Sequence, residues 1–116
     1  MSWVLEIHLV VAFLVLLCAI VFSWNSLGQR VMNVVVSVQV LIGLIAVGML
    51  GPRVGTLGPA IWWHLASAIA ALIVYVLARR LGDRPGGRRT GMLLGALGFV
   101  LVVVGFYLGL HMAGRV

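Results

Sequence analysis

Lysine is absent, only Glu6 and Asp83 are acidic, and 9% of the 116 residues are charged against 64% that are hydrophobic. A soluble domain carries roughly 25% charged residues, so this scarcity excludes a water-soluble fold. Cys18 is the one cysteine, which excludes a disulfide framework or a thiolate metal cluster within one chain. There is no glycine-rich phosphate loop, no pair of carboxylates in one segment and no nucleophile elbow, so the common hydrolase and nucleotide-binding constellations are excluded too. Pumps and transporters usually bury more charge than this, and nothing resembles a selectivity filter.

What the chain does have is apolar length. Four stretches, about 3–22, 31–50, 60–78 and 90–112, are each long enough to cross ~30 Å of hydrocarbon at ~1.5 Å per residue. The expected fold is all-α: an integral membrane four-helix bundle forming a single domain over 1–116, multi-pass in the cell membrane and solvated by lipid. Breaker clusters end the first two spans, Ser23-Trp24-Asn25-Ser26-Leu27-Gly28 and then Gly51-Pro52 to Gly58-Pro59, and one polar stretch, Arg79 to Arg89, separates the third span from the fourth. Trp24 and the pair Trp62-Trp63 suit the membrane interface. The first span lacks a basic leader and a small-residue cleavage site, which reads as a retained helix.

The net charge of +6 comes from eight arginines lying mostly beside apolar segments, so topology accounts for it better than a nucleic-acid partner does. Five of them fall between Arg79 and Arg89, against Arg53 alone in the preceding loop. By the positive-inside rule the Arg79–Arg89 segment and Arg30 are expected to be cytoplasmic, with both termini on the outer side.

Ionisable residues are costly inside a bilayer and mark functional sites by default. The spans contain four: Glu6, His8, His64 and His111. Because successive spans run in opposite directions, the three histidines fall at broadly similar depth near the outer side. Two neutral imidazoles on different helices can supply both axial ligands of a haem iron. His8 and His64 make the best pair, since each begins a short pattern, His8-Leu9-Val10-Val11-Ala12 and His64-Leu65-Ala66-Ser67-Ala68, that puts a small residue one turn below the imidazole. His111, with Tyr107 one turn away, could add a third polar wall or be an ordinary interfacial side chain. Gln39 lies too deep to snorkel, and is expected to bond within the bundle or touch a ligand substituent. Asn33 and Ser37 read as packing and capping, and Cys18 as a small hydrophobe. Gly91 and Gly95, and again Gly105 and Gly109, have the four-residue offset of close helix contacts, either inside the bundle or between subunits.

His8 to Ala12, then Val38-Gln39-Val40-Leu41-Ile42-Gly43, then His64 to Ala68 after a proline-containing turn, together resemble one half of a haem A synthase. That family is built from two similar four-helix halves, each able to hold a haem between a histidine pair on the outer side, and half-length members of archaeal type would have to work as oligomers. The resemblance covers roughly residues 3–80. It implies oxidation of the C8 methyl group of haem O to the formyl group of haem A, with haem b, haem O or haem A bound. It also implies His8 and His64 as axial iron ligands and Glu6 as the acidic residue ahead of the first histidine, a candidate proton acceptor. A homo-oligomer, and contact with a haem O synthase or a respiratory complex, are the partners it suggests. Glu6 and His8 are two residues apart, ~200° around a helix, and are expected on different faces. A haem-b subunit that relays electrons or anchors a respiratory complex, and a structural subunit without cofactor, are the alternatives.

Overall fold

A computed structural model describes residues 2–112. Four α-helices, α1 (Ser2–Phe22), α2 (Ser26–Leu50), α3 (Ala60–Gly82) and α4 (Arg88–Met112), run up and down, with a 3-10 helix over Gly51–Leu57 joining α2 to α3. All four are long and apolar enough to cross a membrane. Their outward faces carry Val10, Phe13, Leu17, Leu41, Ile73, Leu93 and Val100, all uncharged and each between 49% and 61% exposed. Lipid tails, not water, suit such a surface.

The helices are longer than the hydropathy predicts. α2 begins at Ser26 rather than near Val31, which takes Arg30 out of the expected loop and into the helix, and α3 continues through Arg79 and Arg80 to Gly82. Hydropathy locates the apolar stretch, whereas helical hydrogen bonding continues into polar residues until a cap stops it. Asn25 provides one such cap: its Oδ1 accepts from the Gly28 amide at 2.7 Å and starts α2 after a tight turn. Gly51, at φ +56°, ends that helix in a backbone conformation that other residues rarely adopt.

α3 and α4 pack most closely, and α1 touches α4 least of the adjoining pairs. Glycine explains the close side. A Cβ on Gly91 would stand 2.7 Å from the Gly82 Cα, and one on Gly98 would meet the Tyr75 ring at 2.8 Å. Gly91, Gly95, Gly98 and Gly105 are all buried. The stripe that could have served packing or subunit contact therefore lies inside the bundle.

The core, Val15, Ala19, Met32, Val36, Ala71 and Tyr75, fills the middle and the arginine-bearing half. There Ser23 Oγ and the Tyr75 hydroxyl share a buried hydrogen bond of 2.6 Å. Gln29 Nε2 donates to the carbonyls of Ser23 and Gly91, both at 3.0 Å. At the same end Ser26 Oγ donates to Asp83, and Arg30 lies 3.9 Å from the other carboxylate oxygen. These contacts gather Arg30 and the Arg79–Arg89 segment at one end. The start of α1, the Arg53 turn and the end of α4 occupy the other.

Candidate functional site

The end opposite the arginines is hollow. A cavity of about 420 Å³ lies between all four helices, lined by His8, Ala12, Gln39, Gly43, Ala46, His64, Ala68, Phe106 and Gly109 among others. Its size falls within the ~300–1,000 Å³ of small-molecule and cofactor sites. Ala12 and Ala68, the small residues one turn below the two imidazoles, both contribute to the wall. A smaller space of about 50 Å³ continues beneath it toward Val36 and Ala71.

His8 and His64 face one another, with ring centroids 6.0 Å apart and planes at 87°. The antiparallel topology brings them level, since each lies in an early turn of a helix that starts at this end. Each ring rests on glycine: a Cβ on Gly43 would come within 3.2 Å of His8 Cε1, and one on Gly109 within 3.2 Å of His64 Cε1. His64 Nδ1 bonds the Gly105 carbonyl at 2.7 Å. A carbonyl only accepts, so Nδ1 carries the proton and Nε2 keeps its lone pair for a ligand. Such a second bond is what usually orients a metal-binding imidazole. Gln39 Nε2 donates to the His8 carbonyl at 3.0 Å, tying α2 to α1 at the level of the site. His8 Nδ1 and Gln39 Oε1 are buried without a hydrogen-bond partner among the described residues.

The other residues singled out from the sequence fall elsewhere. Glu6 is exposed and touches the cavity at its mouth, not beside the inward-facing His8, as the ~200° offset requires. His111 is exposed and is not among the residues lining the cavity, and neither is the exposed Tyr107. Asn33 Nδ2 donates to the Leu72 carbonyl at 3.4 Å and Ser37 Oγ to the Asn33 carbonyl at 2.5 Å, both structural bonds. Cys18 is half-buried against the core.

Sequence reasoning missed Gly43 and Gly109 as seats for the imidazoles, and the Gly105 carbonyl as the bond that orients one. Their signal was depth: Gly109 sits as far from its helix end as His64 from its start, within a turn. It also missed Tyr75 and Gln29, polar side chains placed within apolar helices. No group of three or more His, Cys, Asp or Glu side chains that could hold a metal ion occurs among the described residues. The polar centre is a histidine pair.

Fold and site together define a class: a four-helix bundle with membrane-length helices and a histidine-paired cavity at one end. Comparison with protein-family models, with curated proteins and with solved structures gives no match.

Proposed function

We propose that this chain is a haem-binding membrane oxidoreductase of the haem A synthase kind, acting on the C8 methyl group of haem O. The observation that carries the reading is the facing pair His8 and His64 across one cavity. The ring centroids are 6.0 Å apart, close enough for both imidazoles to reach one ligand between them. The residues fit the group in other respects. Gly43, Ala46, Ala12, Ala68 and Gly109 leave a flat ligand its space, and the walls are otherwise apolar.

In this reading His8 and His64 would be the residues that hold the haem iron; the Gly105 carbonyl fixes the His64 ring with its Nε2 unprotonated, and Gln39 fixes the backbone that carries His8. A bound haem would supply the redox centre and, as haem O, the methyl group to be oxidised. Turning that methyl into a formyl group with oxygen from water releases electrons as well as protons, so an external electron acceptor would be needed; Glu6, the one carboxylate lining the cavity among the described residues, would take up a proton. A carboxylate in reach of bulk water can pass that proton on. The orientation that accompanies this reading places the cavity and both termini outside the cell membrane, with the arginines in the cytoplasm. A homo-oligomer, a haem O synthase and a respiratory complex are the partners that go with it.

One observation favours a second reading, a haem-b subunit that relays electrons or anchors a respiratory complex. If both His8 and His64 bound one haem iron they would leave it no open position, which would suit electron transfer, and Glu6 is exposed at the edge of the cavity rather than against His8. The test is to express the chain beside a source of haem O, extract the haem and weigh it. Haem A in the extract supports the enzyme. Sharp reduced bands with unconverted haem support the relay, and a bundle without bands overturns both.

A further inference from the structure

The cavity has a direction of access. Of the residues that line it, Leu5 and Glu6 are the exposed ones, so its mouth lies at the first turns of α1. Leu5, Leu9 and Phe13 recur every four residues and form one stripe along that helix. The Phe13 ring meets Phe106 of α4 edge to face at a centroid distance of 5.0 Å, so the stripe faces α4. Leu110, one turn beyond Phe106, lines the cavity from the α4 side. The mouth is therefore the upper part of the seam between α1 and α4, where adjoining helices touch least. Below it Phe13 with Phe106, then Trp24 with Phe99 at 5.6 Å, close the same seam.

We propose that this seam is a lateral portal: the cavity takes a planar, largely apolar ligand dissolved in the bilayer, which passes between Leu5, Leu9 and Leu110 and is stopped by the Phe13–Phe106 pair. Trp3, exposed at the start of α1, suits the membrane interface; Glu6 lies about 4.5 Å below it, within reach of the interface, whereas Leu9 lies six residues beyond it, about 9 Å deeper, which puts the lower part of the opening against acyl chains. A ligand moving from lipid to an apolar cavity keeps its apolar surface out of water throughout. Glu6 on the rim disfavours an anionic group there, so the apolar edge of the ligand lies in the seam. The proposal rests on the haem reading for the kind of ligand but not for the position of the portal.

Two measurements in nanodiscs separate the two ideas. In the first, a nitroxide on Leu9→Cys, in a Cys18→Ser background, is relaxed by oxygen or by a water-soluble nickel chelate, with labels at Leu17→Cys and Thr56→Cys as lipid and water references. A portal to lipid gives the Leu17 pattern; relaxation mainly by the chelate overturns it. In the second, haemin is supplied from phosphatidylcholine vesicles or on serum albumin, and its uptake is followed in the visible spectrum. Uptake from vesicles should be at least about tenfold faster, and Leu9→Trp or Leu110→Trp should slow uptake from vesicles about tenfold more than uptake from albumin. Leu5→Trp, at a side chain already 44% exposed, replaces them if either fails to fold. Equal uptake from both sources, indifferent to these variants, overturns the portal. No haemin bound with Leu9 relaxed by oxygen overturns the haem reading and supports the portal.

Discussion

A backbone carbonyl decides which nitrogen of His64 is free. Because Gly105 O accepts from Nδ1, Nε2 is left for a ligand, and removing the imidazole removes both the donor and the site. Under the proposed haem reading, alanine at His64 or at His8 should therefore abolish or reshape the haem spectrum, while His111→Ala, at an exposed side chain outside the cavity, should leave most of it. Loss of the spectrum only in the His111 variant would mean that the wrong helix pair had been chosen. At the other end the residue that matters is Tyr75, fully buried and bonded to Ser23. Tyr75→Phe strips Ser23 of its side-chain partner at a cost of about 1 kcal/mol, the usual scale for such bonds in membrane bundles. Gly98→Ala should cost more, about 1–3 kcal/mol, because the added methyl meets a ring that has no room to move. Unfolding in a denaturing detergent titration orders the two, and a Gly98→Ala variant as stable as the parent would contradict the packing.

At the scale of the element, α4 shows how far a pattern can be read. Its glycine spacing announces a face of close approach, but period alone does not say which neighbour the face meets. The answer depends on α3 presenting Ala78, Gly82, Tyr75 and His64 to it, a tertiary fact. Gly109→Leu is accordingly expected to disturb His64, whose ring a Cβ there would approach to 3.2 Å, and, under the proposed haem reading, to lower haem occupancy without changing the oligomeric state seen by size-exclusion chromatography with light scattering. A variant that dissociates yet keeps full occupancy would return the stripe to a subunit interface. The four helices of membrane-crossing length were legible, because hydrocarbon requires ~20 apolar residues and few other sequences supply them. Their ends were not. Ser26 and Arg30 at the start of α2, and Arg79 and Arg80 at the end of α3, are polar residues inside helices. The histidine pair was legible for a different reason: an imidazole in a span is rare enough to be noticed, and alternating spans fix its depth. The polar tie of Ser23, Tyr75 and Gln29 was not, since a tyrosine among valines and leucines has the same hydropathic pattern whether it faces lipid or a serine one helix away.

For the whole molecule, charge and chemistry sit at opposite ends. Arg30, Arg79, Arg80, Arg84, Arg88 and Arg89 share the end drawn together by Asp83, and Arg53 is at the cavity end. Moving arginines across a bilayer is costly, and short loops are retained on the cytoplasmic side in proportion to the arginines they carry. Anionic lipid on that leaflet adds about 1 kcal/mol for each basic side chain near its surface. The opposite orientation would carry the five arginines of the α3–α4 turn outward, and the lone Arg53 offers little to offset it. The expected arrangement thus has the mouth of the cavity on the outer side. Single cysteines in a Cys18→Ser background test this directly, at Arg84→Cys in the exposed α3–α4 turn and at Thr56→Cys in the exposed turn after α2. A membrane-impermeant maleimide added to intact cells should label Thr56→Cys and leave Arg84→Cys untouched until the membrane is opened. The reverse pattern would place the histidine cavity in the cytoplasmic half, and with it would go any reading in which Glu6 releases protons to the outside.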